Sequence, residues 1–171
     1  MAVITIGNEA TDRASQVGLT STNVDANSPA TGTGTITSIE VYAYDNWSGI
    51  IQAATFYRKD PIGFPNKLTT RDVVDLGDIS AGYNEYTVDE SSNAISLNVV
   101  EGDFIGIYAS TGSIDVTLTD TNVGRWYQTG DRIPCDDYTF IVQANRTLSI
   151  KGTGVTAEAA AGNAIMMGMN F

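Results

Sequence analysis

The chain consists of short segments in which apolar and polar residues alternate, and Gly, Asn, Asp or Pro separate these segments. Alternation of this kind places successive side chains on opposite faces of a β-strand. The clearest example is the segment 35–44. One predicted face contains Thr37, Ile39, Val41 and Ala43, and the opposite face contains Ser38, Glu40, Tyr42 and Tyr44.

About ten segments of this kind follow one another at the spacing typical of an antiparallel sandwich or barrel. Before residue 156, no segment keeps the period of an amphipathic helix. We therefore predict an all-β protein with one domain overall. Residues 1–34 are expected to form an N-terminal strand and an extended arm or loop, in which 16–20 is a candidate strand. Residues 35–156 are the predicted β-sandwich core, and residues 157–171 are a predicted apolar C-terminal tail.

Residues 99–108 form the most recognisable hairpin in the sequence. A strand ends, Gly102 and Asp103 turn the chain, and Phe104 begins an aromatic and aliphatic strand. Gly suits a turn that needs a positive φ, and Asp can accept hydrogen bonds from turn amides. This hairpin resembles those of jelly-roll and other β-sandwich modules, which include carbohydrate-binding domains, trimeric tumour-necrosis-factor-type proteins and bacteriophage head or tail proteins. The resemblance implies a single antiparallel β-sandwich of jelly-roll type.

The sequence contains no histidine and a single cysteine, Cys135. These counts exclude the His-dependent catalytic triads, His-ligated zinc and Cys-based zinc sites. A glycosidase would need only two carboxylates, but nothing in the sequence fixes such a pair among the 20 acidic residues. We therefore predict that the protein is not an enzyme and carries no cofactor.

The formal net charge of −11 restricts the partners of the chain. An acidic surface repels the phosphates of nucleic acids and the anionic surface of membranes. The N-terminal residues lack the features of a signal peptide, and no apolar run is long enough for a transmembrane helix. We therefore predict synthesis in a host cytoplasm and no partnership with nucleic acid or membrane.

Three acidic residues flank Pro134 and Cys135 in one predicted loop. Calcium takes several carboxylate and carbonyl oxygens as ligands, and the loops of β-sandwiches can supply them. The candidate calcium ligands are Asp131, Asp136 and Asp137. The alternative is that these carboxylates are only solvated loop charges.

Aromatic residues cluster where the segment 35–44 ends. Tyr42 and Tyr44 lie on its polar face, and Trp47 lies in the turn that follows. Exposed aromatic rings stack on sugars or occupy the centres of protein interfaces. We therefore treat these three as candidate ligand-binding residues, with the alternative that Trp47 belongs to the core.

The C-terminal segment is rich in Ala and Met. Its large apolar side chains would form an adherent surface unless something covered them, and Met suits adaptable contacts. The segment either contacts neighbouring copies in an assembly or forms the last strand of its own sandwich. The candidate assembly contacts are Ile165, Met166, Met167, Met169 and Phe171.

Taken together, these features predict a structural protein without enzymatic activity. Thr-, Gly- and Asn-rich strands and the lack of a catalytic motif resemble bacteriophage virion proteins in general. The resemblance implies a homo-oligomeric capsid decoration protein or a tail or fibre component, located in the virion, whose partners are copies of itself and other assembly subunits. The alternative is a carbohydrate- or receptor-binding module that recognises a surface glycan.

Overall fold

The computed structural model describes residues 1–157, which form β-strands joined by turns and loops. The named strands pair antiparallel, which confirms the predicted all-β antiparallel class. Within residues 1–157 there is no helix long and apolar enough to cross a membrane. The strands are β1 (Val3–Gly7), β2 (Ser15–Gly18), β3 (Ser21–Asp25), β4 (Gly34–Ala43), β5 (Ile51–Tyr57), β6 (Lys67–Asp75), β7 (Gly82–Tyr86), β8 (Leu97–Val99), β9 (Phe104–Ala109), β10 (Ser113–Thr117), β11 (Arg125–Thr129), β12 (Tyr138–Thr139), β13 (Ile141–Gln143), β14 (Thr147–Leu148) and β15 (Ile150–Thr156).

Eight strands form one sheet, which we call the open sheet. Its hydrogen-bonded path runs β1-β15-β4-β10-β14, while β7 and β8 pair with β4, and β2 pairs with β10. Strand β1 lies along β15 from Val3, opposite Val155, to Gly7, opposite Lys151. The first strand and the last described strand therefore lie side by side at one edge of this sheet.

The second sheet follows the order β12-β6-β5-β9-β3-β11-β13. Its two ends belong to a single segment of chain, because only Phe140 separates β12 from β13. Strand β12 pairs with β6, and β13 pairs with β11. Between them, the Phe140 N–H donates to the Asn66 carbonyl at 2.9 Å, and Asn66 Nδ2 donates to the Phe140 carbonyl at 2.6 Å. The sheet thus curls into a nearly closed structure, which we call the barrel.

Two apolar cores result from this arrangement. The first lies between the open sheet and the barrel and includes Ala53 of β5, while the second lies inside the barrel and includes the next residue, Ala54. Aromatic rings fill the second core. Phe104 packs edge-to-face on Trp126 with their ring centres 4.7 Å apart. Strands of the barrel are therefore buried on both faces.

Strand β2 overlaps the candidate strand 16–20, but the segment 8–34 is not only the extended arm or loop that the sequence predicts. It contributes β2 to the open sheet and β3 to the barrel, where β3 lies between β9 and β11. All polar residues of β3 except Ser21 are buried, and hydrogen bonds satisfy these buried groups. Asn23 Nδ2 donates to the carbonyls of Gly18 and Ser21, and Asp25 accepts from the Ser28 N–H.

A β-bulge changes one predicted face of β4. Opposite β15, the register passes from Ser38 directly to Ile36 and leaves Thr37 unpaired. The prediction that Thr37 shares a face with Ile39 and Val41 is therefore wrong: Thr37 is exposed, and Ile36 is buried in its place. Beyond the bulge the predicted alternation is confirmed, with Ile39 and Val41 fully buried.

Candidate functional site

The outer face of β4 and β7 brings together two of the predicted ligand-binding residues. Tyr42 lies directly opposite Tyr83 in the register of these strands. Tyr44 lies just after the end of β4, and the alternation of the strand places it on the same face as Tyr42. Tyr44 and Tyr83 are exposed and Tyr42 is half-buried. We call Tyr42, Tyr44 and Tyr83 the tyrosine face.

Carboxylates border the tyrosine face. Glu40 and Glu85 lie opposite each other two register positions from Tyr42 and Tyr83, as the next pair on the same face. The Tyr83 hydroxyl donates to Glu40 Oε2 at 3.1 Å, and partial desolvation together with this bond raises the pKa of Tyr83. Aromatic rings beside carboxylate acceptors suit a ligand that presents a flat apolar surface and hydroxyl donors.

The structure places Trp47 in the core instead of on this face. Its side chain is only 1% exposed, and its indole Nε1–H donates to the Ser113 carbonyl at 2.8 Å. A buried ring offers no surface to a ligand, so Tyr83 takes the place that the sequence assigned to Trp47. Only the long-range pairing of Tyr83 with β4 reveals the face that it shares with Tyr42.

The three candidate calcium ligands lie in the predicted loop but do not converge on one point. Asp136 forms a 2.5 Å ion pair with Lys59, and Asp137 lies 3.7 Å from Lys67. The bond from Lys59 holds the pKa of Asp136 below its usual range. Asp131 accepts a backbone N–H within its own loop. Within residues 1–157, no group of three or more Cys, Asp or Glu side chains is placed to hold a metal ion.

Other titratable groups are buried in structural positions. Burial raises the pKa of the Cys135 thiol, which disfavours the reactive thiolate. Burial also raises the pKa of Asp25 and of Asp115. Asp25 accepts from Asn8 Nδ2 at 2.6 Å, and Asp115 accepts from the Arg13 N–H at 2.9 Å. Both carboxyl groups therefore anchor the segment before β2 to the strands beneath it.

Two exposed apolar side chains face outward where β1 and β15 meet. Val3 is 70% exposed, and Val155, directly opposite, is 37% exposed. We call Val3 and Val155 the valine patch. Close by, the N–H of Ala157, the last residue that the structure describes, donates to the Thr33 carbonyl at 3.3 Å. The candidate assembly contacts Ile165, Met166, Met167, Met169 and Phe171 lie outside the described residues.

No family model matches the chain, and the comparisons with curated proteins and with solved structures gave no match.

Proposed function

We propose that the chain is a structural subunit without enzymatic activity that assembles with copies of itself. The observation that supports this proposal is the valine patch at the edge of the open sheet. Exposed apolar residues at a sheet edge favour association with another chain unless the protein covers them. In the proposed contact, the valine patch of one copy packs against a second copy, which removes both side chains from water.

The composition of the C-terminal segment supports the same proposal. The chain leaves the described structure beside the valine patch, and the apolar residues 165–171 follow. Burial of such side chains between copies contributes about 25 cal/mol for each Å² of apolar surface. In the proposed assembly, this segment extends the apolar contact that the valine patch begins.

The setting that we propose is a bacteriophage virion, with the chain as a capsid decoration protein or a tail or fibre component. The support is the resemblance of residues 99–108 to jelly-roll hairpins and the overall composition. The net charge of −11 keeps assembled particles from sticking to one another. We also propose that the sandwich is of the jelly-roll type.

Light scattering after size-exclusion chromatography tests the assembly. The variants Val3→Glu and Val155→Glu place a charge in the proposed contact, while Ile62→Glu changes an apolar side chain that is 94% exposed in the loop between β5 and β6. We expect the unchanged chain and Ile62→Glu to form oligomers and both valine variants to dissociate. A chain that stays monomeric at high concentration, or oligomers unaffected by both valine variants, would contradict the proposal.

A second candidate function is carbohydrate binding by the tyrosine face. The observation that favours it is the pairing of Tyr42 with Tyr83 beside two carboxylates. A glycan array should show binding that Tyr42→Ala and Tyr83→Ala abolish and Tyr138→Ala leaves intact, because Tyr138 lies on the barrel. Loss of binding in the Tyr138 variant alone would place the glycan elsewhere, and an array without signal would remove this candidate.

A further inference from the structure

A cavity of about 250 Å³ opens at one end of the barrel. Tyr57 and Arg58 at the end of β5 form one wall, together with Pro61 of the following loop. The turn between β8 and β9, residues 100–103, forms the other wall. The mouths of β-barrels are common places for small-molecule sites. This volume suits a ligand no larger than a single sugar ring.

One of the two arginines in the cavity is neutralised by the protein itself. The Asp103 carboxylate accepts from Arg71 Nε and, at 3.0 Å, from Arg71 Nη2. It also accepts the Val100 N–H at 2.8 Å. The Arg71 guanidinium lies over the Tyr57 ring, 4.5 Å from its centre. This pair therefore fixes the wall of the cavity and leaves no net charge for a ligand.

Arg58 differs because nothing in the described part of the chain neutralises it. Within residues 1–157 it forms no ion pair, and its one hydrogen bond is a 3.5 Å contact with the Pro65 carbonyl. Its guanidinium lies over Phe104 and Trp126, 4.9 and 5.6 Å from the ring centres. The rings hold the guanidinium in place, and its remaining N–H groups are free to donate to an anion.

Glu101 narrows the class of anion. It lines the same cavity and is exposed, and its backbone N–H is held by Thr33 Oγ1 at 3.0 Å. A second carboxylate repels anions that carry several charges, but it accepts hydrogen bonds from hydroxyl groups. Tyr57 and Pro61 add apolar surface that can pack against a ring. These features together favour a ligand with one carboxylate, several hydroxyl groups and a ring.

We propose that this cavity binds a hydroxylated monocarboxylate of the uronic acid class. Arg58 holds the ligand carboxylate, and Glu101 accepts from its hydroxyl groups. The residues that line the cavity belong neither to the valine patch nor to the tyrosine face, so the proposal makes no use of either surface.

Isothermal titration calorimetry with D-glucuronate tests the proposal on the whole chain. The comparison ligands are glucose, which has the ring and hydroxyl groups without the charge, and sulfate, which has the charge without the ring. We expect saturable binding of glucuronate and no binding of glucose or sulfate at the same concentrations. Arg58→Gln should weaken glucuronate at least about tenfold, because a charge-assisted pair is lost.

Two further variants separate the site from effects on folding or net charge. Lys59→Gln is the matched control, because it changes the adjacent base, which pairs with Asp136 outside the cavity; its affinity should equal that of the unchanged chain. Glu101→Gln should weaken glucuronate binding, because the carboxylate acceptor is lost, and should make sulfate binding detectable, because the repelling charge is removed. Equal affinity for sulfate and glucuronate, no effect of Arg58→Gln, or no heat with glucuronate would each overturn the proposal. If Arg58→Gln does not fold, the proposal is tested by Glu101→Gln, in which glucuronate binding and sulfate binding should change in opposite directions.

Discussion

Trp47 and Tyr44 lie close together in the sequence, but their side chains are 1% and 55% exposed. Trp47 packs in the core between the open sheet and the barrel, and its indole N–H is satisfied by a carbonyl. Composition and alternation cannot separate these two positions, because both aromatics belong to one strand end and turn. At the scale of single residues, the local turn decides which ring is buried.

Replacement of Trp47 should therefore destabilise the protein far more than replacement of Tyr44. Trp47→Ala should lower the free energy of unfolding by about 3–5 kcal/mol, because it leaves a cavity in the core. Tyr44→Ala should change it by no more than about 0.5 kcal/mol. Urea unfolding followed by tryptophan fluorescence, to which Trp126 contributes in both variants, measures both costs. Similar costs for the two variants would mean that Trp47 is not a core residue.

Asp115 gives a residue-scale prediction on pH. Its Oδ2 accepts from the Arg13 N–H, while its Oδ1 has no partner within residues 1–157. Burial raises its pKa above the usual 3.8, so the folded state binds this proton more tightly than the unfolded state. Ionisation of Asp115 therefore costs stability as the pH rises above 3.8 and through the folded-state pKa.

Asp115→Asn should raise the free energy of unfolding at neutral pH, because Asn keeps an acceptor for Arg13 and removes the buried charge. The gain should disappear as the pH falls through the folded-state pKa of Asp115.

Asp136→Asn is the opposite case, because the pKa of Asp136 is lowered by Lys59. It should lose stability at neutral pH, with a loss that shrinks in acid. Thermal unfolding of both variants across this pH range checks the two signs.

At the scale of elements, strands with one buried and one exposed face could be predicted from the sequence. The alternation in β4 beyond its bulge is an example. The turn before β9 could also be predicted, because its Gly and Asp residues are typical of turns. Strand β3 could not be predicted, because it is buried on both faces and its polar side chains are satisfied by distant partners. The pairing of Tyr42 with Tyr83 and the closure of the barrel also depend on contacts between distant segments, which leave no local pattern.

Phe140 is the residue that tests the closure of the barrel. Its backbone joins β12 to β13, and its ring packs edge-to-face on Phe56 at 6.2 Å. Phe140→Ala should cost about 3–5 kcal/mol of stability and speed amide exchange in β6 and β11 together. Tyr138→Ala, at a partly exposed neighbour, should cost about 1 kcal/mol. Equal costs, or faster exchange in one of the two strands only, would mean that the edges do not meet at Phe140.

At the scale of the whole molecule, the two layers present different chemistry. The open sheet carries the tyrosine face and, at its edge, the valine patch, while the barrel carries the cavity with Arg58 at its mouth. All three lysines and Arg71 are neutralised by carboxylates within the chain. The net charge of −11 therefore opposes close contact between copies, so an assembly contact needs uncharged apolar surface such as the valine patch.

Hydrogen–deuterium exchange of the whole chain at low and high protein concentration tests the assembly claim most directly. Amides in residues 2–7 and 150–157 should exchange more slowly as the concentration rises, because a second copy covers this edge and opposes its local opening. Amides of β7 beneath the tyrosine face should exchange at the same rate in both samples. Exchange in residues 2–7 and 150–157 that does not depend on concentration would contradict the account.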